Sequence, residues 1–384
     1  MRLEKTLKLK GMNPRLPIIQ GGMGVGISLC ELASAVGREE GIGTVSSAGL
    51  DQLVARRFGQ ERIDTAKATE IEISVTKETG GVAAINIMCA LVSSYEKSVE
   101  GAIRGGVNMI ISGAGLPLNL PTLAKNVTGT NDHEINLVPI ISSARALSLI
   151  CKKWERQGYR PDAVVLEGPK AGGHIGWKYQ QVIEAEGRFL EEYDLFERLL
   201  DPVLDVANDH GGIPVIVAGG IYTHEDILYA LERGATGVQM GTRFAVTNES
   251  GGSEEFKQTI IDAEKDDIIL ATEDWGSPCK LPFRYIRTSR LAQKEKKGDC
   301  FCICTTLMAA TGTDNSDKLG SKEYPKGCPE RYVLLPKEFR KQGEVCPATG
   351  CADYTPLVSS GSEGYRVNRV LTTQELMHEL VNGK

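Results

Sequence analysis

Short apolar segments recur along the first two thirds of the chain, each followed by small or polar residues and then by a longer stretch with helical spacing. Because these segments are apolar almost throughout, both faces of each predicted strand should be buried, as in a parallel sheet covered by helices. The predicted strands are Leu16–Gln20, Ile42–Ser47, Val82–Met88, Val107–Ser112, Leu137–Ser142, Ala163–Glu167, Ile213–Ala218 and Thr236–Gly241. Eight strands that alternate with helices, without a break halfway, predict a TIM (β/α)8 barrel rather than an open doubly wound sheet.

The pattern changes after Phe244, where the alternation of strands and helices ends. A helix is predicted over 254–275. The remainder is a mostly irregular extension that closes with a short helix over Thr373–Val381. The sequence therefore predicts two parts, a ligand-binding barrel at 1–275 and a Cys-rich C-terminal extension at 276–384 that packs on the barrel.

Composition and charge narrow the classes of partner. The chain of 384 residues carries 44 Lys and Arg against 50 Asp and Glu, and this net charge of −6 argues against a nucleic-acid partner. No apolar run approaches the length needed to span a bilayer, and the N-terminus lacks the apolar core of a signal peptide. We therefore expect no membrane partner and a cytoplasmic protein. Glycine accounts for 43 of the 384 residues, a larger fraction than the usual value of about 7%. Such an excess is typical of a backbone that approaches a ligand closely.

Glycine-rich loops follow the first, seventh and eighth predicted strands. A barrel binds its ligands at the carboxyl ends of its strands, and the loops after strands seven and eight commonly form a phosphate site. Gly219, Gly220 and Gly241 would expose backbone N–H groups there, beside the hydroxyl of Thr242. A dinucleotide fingerprint is a poorer interpretation of the glycines at 21–26, because their spacing is not G-x-G-x-x-G.

The segment after the sixth strand, EGPKAGGHIG at 167–176, joins glycines to one of the five histidines of the chain. A histidine at the catalytic end of a barrel can act as a general acid or base near neutral pH. His174 is therefore the candidate catalytic residue. A histidine held there for purely structural reasons is the competing interpretation.

Together these motifs resemble the nitronate monooxygenase family, formerly called 2-nitropropane dioxygenase, which includes the FMN-dependent type II enoyl-acyl carrier protein reductases. The resemblance covers about residues 14–290 and rests on QGGMG at 20–24, AAINIM around Asn86, EGPKAGGH at 167–174, AGGI at 218–221 and QMGTRF at 239–244. It implies a TIM barrel that holds FMN non-covalently, with His174 as the catalytic histidine beside the flavin. The residues that it places around FMN are Gln20, Gly21, Gly22, Met23, Asn86, Glu167, Gly172, Gly173, Ala218, Gly219, Gly220, Gln239, Met240, Gly241 and Thr242.

Two positions depart from the family pattern. Several members carry Gln at the position of Glu167 and an acidic residue at that of Lys170. The Lys170 cation near the catalytic loop would favour an anionic substrate or lower the pKa of His174. A solvated loop lysine is the simpler interpretation.

Six cysteines of the extension are candidate metal ligands: Cys300, Cys302, Cys304, Cys328, Cys346 and Cys351. Four thiolates would hold a [4Fe–4S] cluster or a structural zinc ion. The spacing matches neither the ferredoxin run nor paired zinc knuckles, so reduced or partly disulfide-linked cysteines in a covering extension are an equal alternative. A cluster would offer an electron path to FMN.

Three functions are compatible with the sequence. The first is an FMN-dependent nitronate monooxygenase in which His174 positions a nitronate or takes a proton from a nitroalkane. The second is NAD(P)H-dependent reduction of an enoyl thioester carried by acyl carrier protein or CoA, with His174 supplying a proton. An acyl carrier would require a basic mouth, and the candidates for it are Arg56, Arg57, Arg284, Arg287 and Arg290. The third is a flavin electron-transfer scaffold. The substrate of the first two is a small molecule, and homo-oligomerisation stays open.

Overall fold

The eight strands predicted for the barrel are all present in the structure, a computed structural model that describes residues 3, 7–12, 14–60, 63–185, 187–271, 281–288 and 358–383. The barrel strands are β1 (Ile18–Gln20), β2 (Thr44–Ser46), β3 (Ala84–Met88), β4 (Met109–Gly113), β5 (Asn136–Ile141), β6 (Val164–Glu167), β8 (Val215–Ala218) and β9 (Gly237–Met240). A short strand, β7 (Gly173–His174), lies in the connection after β6.

The barrel strands are parallel and follow one another around the sheet in the order β1-β9-β8-β6-β5-β4-β3-β2. A bridge between Ile19 and Ile42 joins β1 to the chain entering β2, and the Gln20 N–H donates to the Ile42 carbonyl at 2.9 Å. The circle of strands is thus nearly closed, and the prediction of a TIM barrel is confirmed.

Helices cover the outer face of the barrel. They are α1 (Cys30–Arg38), α2 (Leu50–Arg57), α3 (Thr65–Gly80), α4 (Val92–Arg104), α5 (Leu120–Thr128), α6 (Ala144–Glu155), α7 (Tyr179–Glu184), α8 (Phe189–Glu192), α9 (Asp201–Asp209), α10 (His224–Glu232), α11 (Thr242–Ala245), α12 (Glu254–Ile261) and α13 (Thr373–Asn382). A π-helical turn at Leu195–Leu200 precedes α9. Among the described helices, none combines the length with the apolar character needed to cross a bilayer.

The interior of the barrel is filled by apolar side chains of the strands. Its apolar layer is Ile19, Ile42, Ala84, Met109, Ile111, Val138, Ala163, Val165, Ile216 and Ala218. Leu7 and Met12 from the N-terminal segment add to this layer, and the Lys10 backbone exchanges hydrogen bonds of 2.9 and 2.8 Å with the Asn136 side chain. The N-terminal segment therefore closes the amino end of the barrel, and ligand chemistry belongs at the opposite, carboxyl end.

The prediction of one helix over 254–275 is wrong for residues 262–271, and residues 272–275 lie outside the described part of the chain. After α12 the chain makes a 3-10 turn at Lys265–Asp267 and then forms β10 (Ile268–Ala271). β10 pairs antiparallel with β11 (Phe283–Ile286), which pairs in turn with β7. The apolar run of β10 fits a strand because β11 supplies a partner that local helical spacing does not reveal.

Candidate active site

One layer of side chains crosses three strands at the carboxyl end of the barrel. Glu167 on β6 is in register with Ala218 on β8, and Ala218 is in register with Gln239 on β9. Residues paired across a parallel sheet point to the same face, and Ala218 belongs to the interior layer. Three of the predicted cofactor residues therefore lie side by side inside the mouth of the barrel.

The loop after β1 is fixed by the buried side chain of Gln20. Its Nε2 donates to the Ser28 hydroxyl at 2.8 Å and to the Gly21 carbonyl, and its Oε1 accepts from the Thr44 N–H at 2.9 Å. With its amide engaged in this way, Gln20 shapes the loop. The interaction of Gln20 itself with a cofactor stays a prediction.

The same loop approaches β3 and β9 closely. A Cβ atom on Gly22 would lie 2.5 Å from Cβ of Asn86, so only glycine permits this approach. The Gly21 N–H donates to the Met240 carbonyl at 2.8 Å. The Met23 sulfur lies 3.6 Å from where a Cβ atom of Gly241 would stand. The predicted residues of the loop and of β9 thus form one continuous wall.

Two buried oxygens in the mouth have no hydrogen-bond partner within the described ranges: Oε1 of Glu167 and Oε1 of Gln239. An unmet buried acceptor costs about 1–3 kcal/mol, so such atoms are expected to meet a ligand. Burial raises the pKa of Glu167 to about 8, although attraction to Arg284 opposes this shift. FMN offers a ring N–H and ribityl hydroxyls as donors, and this pair of acceptors fits that chemistry.

The glycines after β8 are those of the predicted phosphate site, which we call the cradle. Gly219 and Gly220 have φ angles of +95° and +87°, in the region that favours glycine. A Cβ atom on Gly219 would lie 2.9 Å from the Gly168 carbonyl oxygen, and one on Gly220 2.8 Å from Cδ of Lys170. No backbone hydrogen bond within the described part of the chain uses the N–H of either glycine. These donors fit an anion.

The C-terminal segment reaches this cradle, a place of contact that the sequence prediction of an extension packed on the barrel did not locate. The Gly361 N–H donates to Oγ1 of Thr242 at 2.9 Å, and the Ser362 N–H donates to the Lys170 carbonyl at 3.0 Å. A Cβ atom on Gly172 would overlap the carbonyl carbon of Ser360. The available signal was the Gly-Ser-Glu-Gly turn at 361–364 ahead of a predicted helix.

His174 lies on β7, and its strand partner is Phe283 on β11. The two rings meet edge to face, with centroids 4.9 Å apart. Part of the imidazole surface is accessible, yet protein surrounds the ring closely enough that desolvation lowers the pKa of His174 to about 4. The imidazole is therefore neutral at physiological pH.

Arg284 of β11 holds the glycine-rich loop that precedes His174. Its Nη1 donates to the Pro169 carbonyl at 2.6 Å and to the Ala171 carbonyl, and the residue is only 4% exposed. Burial lowers the pKa of Arg284 to about 10, which leaves it charged at neutral pH. The expectation that Arg284 belongs to a basic mouth is wrong, because its guanidinium is buried under the loop. Arg287 is exposed and pairs with Asp267 at 3.2 Å.

Lys170 packs its aliphatic chain over Gly220, and its Nζ lies 3.7 Å from Oε1 of Glu363. Burial alone accounts for the lowered pKa of His174. The hypothesis that Lys170 lowers that pKa is therefore not supported.

The six candidate metal ligands of the extension, Cys300 to Cys351, lie outside the described residues. The cluster, zinc and unligated alternatives stay predictions. Among the described residues, Cys30, Glu31 and Glu72 offer ligand atoms within 4.8 Å of one another. Arg57 already forms a 2.6 Å ion pair with Glu72, and burial raises the pKa of the Cys30 thiol, which disfavours the thiolate that a metal needs. We therefore interpret these residues as an ion pair of the fold and not as a metal site.

Comparison with known proteins decides the family. Residues 5–383 match the family model described as nitronate monooxygenase. The chain belongs to the nitronate monooxygenase family. It is an oxidoreductase, and the family is flavin-dependent, which supports FMN as its cofactor.

Relatives agree with this assignment. A probable nitronate monooxygenase from Staphylococcus saprophyticus is 24% identical over 292 residues, which cover 70% of this chain and 76% of the relative. A protein of Mycobacterium tuberculosis named as a hydroxy-methyl-oxo-octahydro-indene-carboxyl-CoA dehydrogenase is 27% identical over 284 residues, covering 73% of this chain and 66% of the relative.

Solved structures share the fold. FabK from Thermotoga maritima superposes with a TM-score of 0.60 at 21% identity, over 95% of this chain and 91% of that chain. A nitroalkane oxidase from Streptomyces ansochromogenes gives a TM-score of 0.61 at 19% identity, over 95% and 94% of the two chains.

Proposed function

We propose that this chain oxidises nitronates or nitroalkanes with FMN, and that His174 is the base that holds or removes the substrate proton. The observation that carries the proposal is the neutral imidazole on β7 at the mouth where Glu167 and Gln239 present unmet acceptors. A neutral imidazole accepts a proton or a hydrogen bond without first having to lose a proton of its own.

The residues present fit FMN. The N–H groups of Gly219 and Gly220 and the Thr242 hydroxyl would hold its phosphate, while the Glu167 and Gln239 side chains would accept from its donors. When bound, the flavin supplies the redox chemistry by taking electrons from the substrate and passing them to dioxygen. The protein residues orient the substrate, exclude water and handle the proton.

The protonation state of His174 favours this function over enoyl reduction. Reduction of an enoyl thioester ends with proton donation to carbon, which a protonated imidazole performs better than a neutral one. Burial keeps His174 neutral and also makes it a weak base, so it matches only a comparatively acidic C–H, such as one beside a nitro group. Glu167, whose pKa is near 8, would be largely protonated at neutral pH and would resemble the uncharged Gln that several family members carry.

The test is to identify the flavin released from the purified protein and to compare turnover of a nitronate and its parent nitroalkane in wild type and His174→Ala. We expect FMN, and a loss of nitroalkane turnover of about 10²–10⁴-fold in the variant with its flavin retained. His378→Gln, at an exposed position of α13, is the matched control and should keep wild-type turnover.

Two results would contradict the proposal. Rapid reduction of the flavin by NAD(P)H without oxygen, together with no nitronate turnover, would favour the enoyl reductase. Bound FMN with negligible turnover in both wild type and His174→Ala would favour the electron-transfer scaffold.

A further inference from the structure

The backbone that carries His174 is held in place by β11. β7 consists of two residues, and both pair with β11, His174 with Phe283. Directly after β7, the Ile175 N–H donates to the Pro282 carbonyl at 3.0 Å. The Cα atom of His174 is therefore fixed by β11. The direction in which its imidazole points needs a separate explanation.

The imidazole of His174 has no hydrogen-bond partner among the residues that the structure describes. A catalytic histidine commonly has one ring nitrogen hydrogen-bonded to a carboxylate or a carbonyl, which sets the orientation of the ring. Two other histidines of this chain are held in that way. Nδ1 of His210 lies 2.7 Å from Oε1 of Glu155, and Nδ1 of His224 lies 2.8 Å from the Leu380 carbonyl oxygen. His174 must be oriented by another kind of contact.

The Phe283 ring makes that contact. Its plane is inclined by 70° to the imidazole of His174, and the two centroids are 4.9 Å apart. A Cβ atom on Gly173 would lie 3.8 Å from Cε2 of Phe283, so the ring covers both residues of β7. Rotation of the imidazole about its Cβ–Cγ bond would break the edge-to-face arrangement, which aromatic pairs prefer. The contact therefore favours one orientation of the imidazole.

An aromatic neighbour suits a base that must stay neutral. A carboxylate bonded to the imidazole would favour the protonated form and raise its pKa, whereas an apolar ring orients the imidazole without that effect. The low pKa of His174 agrees with this, because its cause is burial and no charged group of the described structure contributes to it. Contact with Phe283 also leaves the ring nitrogens available to a substrate.

We propose that Phe283 is the positioning residue of His174, and that its ring holds the imidazole in the orientation that receives the substrate proton. The inference rests on the proposed function. In the step concerned, the C–H bond beside the nitro group breaks, its electron pair stays with the substrate as the nitronate, and an N–H bond forms on the imidazole. Phe283 acts only through the direction of the accepting nitrogen.

The first test is Phe283→Leu, which keeps an apolar side chain but removes the ring. We expect kcat for a nitroalkane to fall by about tenfold or more and KM to stay within about twofold, because the base is present but poorly aligned. Turnover of the matching nitronate, which has no proton to lose, should stay within about threefold. Phe283→Tyr keeps the ring and should restore nitroalkane turnover to within about threefold of wild type.

A kinetic isotope effect separates alignment from general damage. With a nitroalkane deuterated at the reacting carbon, the isotope effect on kcat should rise in Phe283→Leu, because C–H cleavage becomes slower than the other steps. Phe196→Leu is the matched control, since Phe196 meets Tyr229 edge to face at 5.0 Å and 69°, away from His174. Flavin content and thermal midpoint check that each variant is folded. Equal kcat and isotope effects in Phe283→Leu and Phe196→Leu would refute the positioning role.

The second test is an NMR titration of His174, which needs no substrate. Phe283→Ala removes the side chain that covers the imidazole, so the pKa of His174 should rise from about 4 towards its ordinary value of 6.5. In Phe283→Leu the pKa should stay low, because the apolar cover remains. An unchanged pKa in Phe283→Ala would show that Phe283 does not enclose the imidazole, and the proposal would be overturned.

The two proposals fail in different ways. If wild type turns over no nitroalkane, the proposed function is wrong, and the NMR titration still decides whether Phe283 holds the imidazole. If His174→Ala loses nitroalkane turnover while Phe283→Leu keeps it, the positioning role alone is wrong.

Discussion

Two carboxyl groups stand at opposite ends of β6, and their surroundings differ. Asp162, just before the strand, pairs with Lys10 Nζ at 2.8 Å. Its carboxylate also accepts hydrogen bonds from the Tyr159 hydroxyl at 2.8 Å and from the Leu137 N–H at 2.9 Å. Glu167, the last residue of the strand, has a buried oxygen without a partner in the described structure. The first group stabilises the fold, and the second is available to a ligand.

Near pH 5, the largest effect in this comparison should come from Asp162→Ala. It leaves the Tyr159 hydroxyl and the Leu137 N–H without their acceptor and removes the partner of Lys10. We expect the free energy of unfolding to fall by about 3 kcal/mol, measured by urea denaturation of the flavin-free protein. Flavin affinity should stay within about twofold. Asp162→Asn, which keeps an acceptor, should lose less. A large loss of flavin affinity with unchanged stability would reverse the assigned roles.

Glu167→Gln should have an effect that grows with pH. The pKa of Glu167 is raised from 4.5 to about 8, so the folded state holds its proton more tightly than the unfolded state does. The stability that this proton contributes is fully present below pH 4.5 and is lost as pH rises through about 8. The glutamine of Glu167→Gln cannot ionise. The flavin-free variant should therefore lie close to wild type near pH 5 and exceed it by about 4 kcal/mol at pH 9.

Thermal and urea unfolding across this pH range provide the measurement. Glu96→Gln, at an exposed position of α4, is the control and should follow the wild-type pH profile. If Glu167→Gln also follows that profile, the carboxyl group is solvated and the contrast with Asp162 disappears.

The sequence was sufficient for the barrel and for the glycine loops at its mouth. Apolar runs and glycines located the eight strands and the turn at Gly219 and Gly220, because these signals are local. The rest of the site depends on contacts between distant residues. The Arg284 bond to Ala171 spans 113 positions and the Gly361 bond to Thr242 spans 119. No local pattern encodes such pairs.

The strand error has the same cause. The apolar run of β10 satisfies helical spacing as well as strand alternation, and only its pairing with β11 decides between them. The role of β11 in holding His174 was likewise hidden, since β7 contributes just two residues to that pairing.

Lys170→Met should give the smallest change in the free energy of unfolding. It tests whether a charged group at the carboxyl end of β6 affects stability when its side chain is partly exposed. Lys170 lies at the carboxyl end, as Glu167 does, but its side chain is 40% exposed and its ion pair with Glu363 is long at 3.7 Å. Solvent screens such a charge, so the free energy of unfolding should change by less than about 0.5 kcal/mol. The pKa of His174, followed by NMR titration, should stay low, because desolvation and not Lys170 sets it. A rise of the His174 pKa in Lys170→Met but not in Lys170→Arg would contradict this expectation. It would show that the charge at position 170 repels the protonated imidazole and contributes to the low pKa beside burial.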